Sequence, residues 1–180
     1  PELIAYTSNA AWNKMVRTEL FIKNGIEYPF GYRHQDLGTT PRLLYYCKRV
    51  GFIKDALYNY LIDRPNNITQ MVDEKIYHIL DMLTINFDFY KENGYFDEVK
   101  KEFQYLATIN CIVSLRKAMK LKDKKFVFKF IDDCFDMMNQ YFGGISRRPY
   151  DPVSDNSDKI YCSRMKCKIY YCLKKLKERN

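Results

Sequence analysis

The chain has 180 residues, 47% of them hydrophobic and 29% charged, which is one domain's worth of material at ~100 to 200 residues per domain. Its 16 tyrosines and 12 phenylalanines exclude a disordered chain, because so much apolar surface will be buried. No apolar run approaches the ~18 to 20 residues of a membrane span and no basic-then-apolar leader pattern is present, so transmembrane and secreted readings both lose weight.

The net charge of +8 is unevenly placed: residues 159–180 carry eight basic side chains and only Glu178 as an acid, whereas the remaining residues are nearly neutral. An argument toward an anionic partner must therefore point at the C-terminal segment rather than at the whole fold. The six cysteines, Cys47, Cys111, Cys134, Cys162, Cys167 and Cys172, are spread through a chain long enough to need no stapling. They read as reduced thiols of a cytosolic protein.

In chain order, Ser8 or Asn9 is a natural cap for a helix to about Asn24, with Trp12, Met15, Val16 and Leu20 at helical spacing and Gly25 as the stop. Residues 28–38 hold Pro29, Gly31 and Gly38 without periodicity and predict a loop. Thr40 followed by Pro41 suits an N-cap and first turn, opening a helix to about Arg49. The period then changes to two: Leu57, Asn59 and Leu61 alternate with Tyr58, Tyr60 and Ile62, as in short strands. After residues 65–67, helical periodicity takes over. Thr69 caps a helix to about Asn93, ended by Gly94; further helices are expected at about 96–119 and 125–142, the last closed by Gly143 and Gly144. A linker at 148–158 leads to a basic amphipathic helix within 159–180, whose Tyr161, Met165, Ile169, Leu173 and Leu176 form an apolar stripe.

Three phrases in the first part occur in a recognisable order: Ala11-Trp12-Asn13-Lys14 with Glu19-Leu20-Phe21; Gly25-Ile26-Glu27-Tyr28-Pro29 leading to Gln35-Asp36-Leu37-Gly38; and Leu57-Tyr58-Asn59-Tyr60 with Arg64-Pro65-Asn66-Asn67-Ile68-Thr69. Together they resemble the C-terminal half of the catalytic domain of bacterial family 2 glycosyltransferases, inverting enzymes of surface polysaccharide synthesis. The resemblance covers about residues 8–70. It implies that the small α/β segment at 1–68 belongs to a GT-A-like catalytic domain; with the helical periodicity after it the chain is expected to be mainly α, with a helical bundle at 69–147, the linker at 148–158 and the basic helix at 159–180.

What the resemblance implies for chemistry is specific. Asp36 corresponds to the carboxylate that acts as general base, taking the proton of an acceptor hydroxyl as it attacks a nucleotide sugar. Gln35 stands where the family has Glu. Trp12 and Lys14 resemble the family's helix facing acceptor and donor, and Arg64 the basic residue near the diphosphate. The family's nucleotide-binding half and its D-x-D metal motif have no counterpart here, so the resemblance implies a C-terminal portion that is inactive alone. A divalent Mg or Mn belongs to the full-length parent and none is expected in this portion. The expected location is cytoplasmic, peripheral at the inner face of the membrane, with self-association through uncovered apolar surface.

Plainer readings stand beside these. Asp36 is also a helix-capping residue type, Arg64 a surface residue before a turn, and Trp12 a core or interface anchor. Glu74 and His78 have the i, i+4 spacing of a metal arm but no third ligand, which favours an ordinary helix-face pair. The alternative function is a non-enzymatic helical module that uses its basic tail on an anionic membrane or a nucleic acid. Confinement of the cations to the tail, away from the aromatics, argues against nucleic acid.

Overall fold

A computed structural model of the chain describes residues 1–61, 71–145 and 159–178. Seven α-helices occupy them: α1 (Leu3–Tyr6), α2 (Thr18–Asn24), α3 (Gln35–Tyr46), α4 (His78–Glu92), α5 (Phe96–Ala118), α6 (Lys124–Phe142) and α7 (Arg164–Lys177), with single 3-10 turns at Ala11–Asn13 and Glu74–Tyr77. The protein is mainly helical, as expected, and no strand occurs among the described residues.

Helices α4, α5 and α6 form the bundle because each carries a broad apolar face. Met82, Leu83 and Phe87 of α4, Phe103 and Leu115 of α5, and Val127, Phe130, Ile131 and Met138 of α6 are all sealed from solvent. Phe87 is the hub of an aromatic cluster, its ring within 6.1 Å of Phe96, Phe103, Tyr141 and Phe142. Ile4 of α1 and Leu37 of α3 join the same core, so a single apolar cluster reaches into the N-terminal segment. The boundaries obey local chemistry. Asp123 caps α6 by accepting the Phe126 amide at 3.0 Å, and α4 ends where Gly94 turns left-handed at φ +74°. There the Tyr95 amide bonds back to the Tyr90 carbonyl at 3.0 Å, as a helix terminated by glycine does.

Helix α3 departs from expectation most. It begins at Gln35, not at Thr40, and Pro41 lies inside it. A proline there removes the amide that would bond the carbonyl four residues back and presses its ring on that carbonyl, which normally breaks a helix. The orphaned carbonyl is that of Leu37, and it accepts a hydrogen bond at 2.9 Å from Asn86 Nδ2, a fully buried side chain of α4. One turn further along α4, the Tyr90 hydroxyl donates to the Pro41 carbonyl at 2.9 Å. Gly38 lets the helices approach: a Cβ at this position would sit 2.7 Å from Met82 Sδ.

Two further expectations are corrected. The helix predicted over 8–24 is a 3-10 turn, an intervening non-helical stretch and the short α2, because Arg17 and Lys14 adopt extended backbone. The alternating residues 52–61 form neither strand nor helix and are exposed throughout, since alternation makes a strand only when another edge supplies the ladder. The strand component of the expected α/β segment is therefore not seen. Ile62, Arg64, Thr69 and the linker at 148–158 lie outside the described residues.

The proline seam makes a measurable prediction. Asn86→Ala is expected to cost about 1 to 3 kcal/mol, because it leaves the buried Leu37 carbonyl without a donor. Pro41→Ala returns the missing amide, so the cost of Asn86→Ala in that background should shrink. A double-mutant cycle by urea unfolding reads the coupling directly.

Candidate functional site

The N-terminus of α3 and the loops it holds form an open cleft of about 460 Å³, lined by Ala11, Trp12, Tyr28, Tyr32, Arg33, His34, Gln35 and Asp36. Its walls are placed by buried threonines of α3. Thr40 Oγ1 donates to the Asn9 carbonyl at 2.9 Å, fixing the turn that carries Trp12. Thr39 Oγ1 bonds the Gln35 carbonyl at 2.8 Å and reaches the Glu27 carbonyl at 3.4 Å, holding the segment that carries Tyr28. Arg42 adds a contact from Nη2 to the same Glu27 carbonyl at 3.2 Å.

The floor is pinned to α4. Arg33 makes a two-pronged ion pair with Asp73, at 2.8 Å and 2.7 Å, and donates its backbone amide to His78 Nδ1 at 2.9 Å. The guanidinium holds the Asp73 carboxyl below its ordinary range. His78 is thereby engaged with Arg33 rather than with Glu74, and no group of three metal-ligating side chains gathers among the described residues. The Tyr32 ring leans on His78 with centroids 4.9 Å apart.

Three of the residues singled out by sequence meet here: Trp12, Gln35 and Asp36 share the cleft. Asp36 lies in the first turn of α3 instead of in a preceding loop, close to the helix end whose free amides favour an anion. Its Oδ1 accepts the neighbouring Leu37 amide at 2.9 Å. Trp12 stacks on Tyr58 at 4.8 Å and on Tyr60 at 4.9 Å while remaining 44% exposed. Lys14 stands apart from the cleft wall and ties its own turn together, donating to the Ser8 carbonyl at 2.8 Å, to Asn13 Oδ1 at 2.6 Å and to the Ala10 carbonyl. Burial lowers its pKa, opposed by the Asp36 charge. That same charge adds to burial in raising the Tyr28 phenol. Arg64 lies outside the described residues.

Sequence reasoning missed Tyr28, Tyr32 and Arg33 as wall residues and left His34 without a role. His34 is the sole non-glycine with positive φ among the described residues, at +60°, and its carbonyl starts α3 by accepting the Leu37 amide at 3.0 Å. Burial lowers the imidazole pKa; Lys117, Arg33 and His78 push the same way and Asp36 opposes them. The Arg33–Asp73 pair spans 40 positions, so no local pattern could announce it. No protein-family model, curated protein or solved structure matches this chain.

The His34 environment sets a pH dependence. A base whose folded pKa is depressed binds more protons when unfolded, so its contribution to stability is complete above the unfolded value of ~6.5 and is lost as pH falls from there through the lower folded value. The thermal midpoint should fall on acidification from about pH 7 to about pH 5.5, and His34→Asn should flatten that slope, since Asn tolerates left-handed backbone and does not titrate.

Proposed function

We propose that this chain is the acceptor-side portion of an inverting glycosyltransferase of the family 2 type, which moves a sugar from a nucleotide-diphosphate donor to a glycan or lipid-linked acceptor. What supports the reading is convergence: the three phrases that carry the family resemblance are far apart in sequence, yet Trp12 of the first stacks on Tyr58 and Tyr60 of the third and shares a cleft with Gln35 and Asp36 of the second. An open cleft walled by aromatic rings with one carboxylate suits a saccharide, whose C–H faces rest on rings while its hydroxyls need acceptors.

In this reading the acceptor hydroxyl oxygen bonds to the anomeric carbon as the bond from that carbon to the diphosphate oxygen breaks. The electron pair leaves with the nucleoside diphosphate, and Asp36 takes the hydroxyl proton. Gln35 holds position beside it without sharing the charge. The nucleotide and its Mg or Mn would be held by the portion of the enzyme that carries the D-x-D motif, and Arg64 is the residue to which the resemblance assigns the leaving diphosphate. The chain alone binds but does not turn over.

The experiment has two arms. Trp12 is the one tryptophan of the chain, so a saccharide entering the cleft should shift or quench the protein's indole emission, and Tyr28→Ala should weaken the response. In the complete enzyme, Asp36→Asn should lower turnover by ~10²-fold or more with an unchanged melt, whereas Gln35→Glu should be tolerated. An emission unmoved by any acceptor saccharide, together with normal turnover of Asp36→Asn, would discard the glycosyltransferase reading.

A further inference from the structure

Helix α7 is amphipathic in an unexpected sense, because the face that attaches it to the bundle is not its aliphatic stripe. Attachment runs through Cys167 and Tyr171, which are 0% and 2% exposed. The Tyr171 hydroxyl donates to the carbonyls of Leu121 and Lys122, both at 3.1 Å, in the turn between α5 and α6. Lys168 bonds Asp132 of α6 at 2.7 Å, and Arg164 pairs with Asp132 and Asp136. Tyr161, assigned by sequence to the stripe, is instead buried.

The other members of the stripe look away from the protein. Met165, Ile169, Leu173 and Leu176 are 70%, 52%, 54% and 58% exposed. At ~100° per residue they occupy an arc of about 80°, centred about 180° from the Cys167–Tyr171 face. Cations line both shoulders of that arc: Lys166 and Lys177 on one side, Lys168 and Lys175 on the other. Lys166 and Lys177 are exposed, with no acidic partner among the described residues. The one acid at this end, Glu178, is drawn to Lys174 and Lys175 and projects on the bundle side of the wheel.

The geometry points to α7 as a preassembled docking face for an anionic phospholipid surface, independently of the enzymatic reading. Aliphatic side chains enter the acyl boundary, and the exposed ammonium groups of Lys166 and Lys177 meet lipid phosphates at the headgroup level, while Lys168 and Lys175 stay paired with Asp132 and Glu178. Charge decides among occupants. A second copy laid stripe to stripe would set lysine shoulders against lysine shoulders. A nucleic acid would satisfy the lysines but leave four aliphatic side chains facing a phosphate backbone. An anionic bilayer satisfies both parts at once. The helix is long enough, since 14 residues span ~21 Å along the membrane plane.

Deleting the segment would uncover the core at α6, so the test uses point changes at exposed positions of the full chain. Co-sedimentation is measured with phosphatidylcholine vesicles and with mixed phosphatidylcholine–phosphatidylglycerol vesicles. The expected result is binding to the anionic vesicles alone, weakened about tenfold or more both by Ile169→Ser with Leu173→Ser and by Lys166→Glu with Lys177→Glu, while circular dichroism and the melt stay unchanged. Equal binding to neutral vesicles overturns the proposal. So does insensitivity to the serine pair, which would reduce α7 to a polycation that heparin should then occupy equally well. A concentration-dependent dimer in sedimentation velocity that the serine pair abolishes would assign the face to a second copy instead.

Discussion

One hydrogen bond, from Asn86 Nδ2 to the Leu37 carbonyl, determines whether α3 can exist in its observed form. Proline at position 41 would otherwise leave that carbonyl buried and unpaired, at a cost comparable to a lost hydrogen bond. Supplying the donor from a neighbouring helix converts a local defect into a tertiary tie. With the Tyr90 bond to the Pro41 carbonyl and the close approach at Gly38, it binds α3 to the bundle through backbone atoms.

The cleft inherits its geometry from that seam. Because α3 is fixed against α4, its first turn carries Gln35 and Asp36 to a defined place, and its buried threonines draw in the turns bearing Trp12 and Tyr28. Arg33 adds a second attachment through Asp73 and His78. The wall is thus built from loops, which adapt readily to ligands, hung on one rigid helix that does not.

What could be read from the sequence was local. Helices α4, α5 and α6 show in their apolar period, and the C-terminal ends of α4 and α6 in Gly94 and Gly143, because such a stop is a matter of a few neighbouring residues, whereas the start of α4 at His78 rather than Thr69 did not show. The start of α3 could not be read, since Pro41 carries a strong local message that Asn86, 45 positions away, cancels. Residues 52–61 alternate as strands do, yet pairing depends on an edge no alternation can supply. For the site, the residue types at Trp12, Gln35 and Asp36 stood out, whereas their assembly with Tyr32 and Arg33 depended on contacts across the fold. In α7 the stripe was legible but its direction was not: the apolar period says which residues share a face, and only Tyr171 and Cys167, less aliphatic but better partnered, decide which face turns inward.

The Tyr171 hydroxyl serves two carbonyls of the α5–α6 turn, and this has a bearing on the order in which the protein can be completed. On a ribosome, α5 and α6 emerge well before α7, so that turn, together with the Asp132 and Asp136 carboxylates of α6, waits without its intended partners until the later helix clears the exit tunnel. The nascent bundle therefore passes through a stage with an open flank at Phe128 and Phe135, the rings that Tyr171 and Arg164 later cover. Closure of that flank must follow formation of the α5–α6 pair, and its two rings stay open to holding chaperones until α7 arrives.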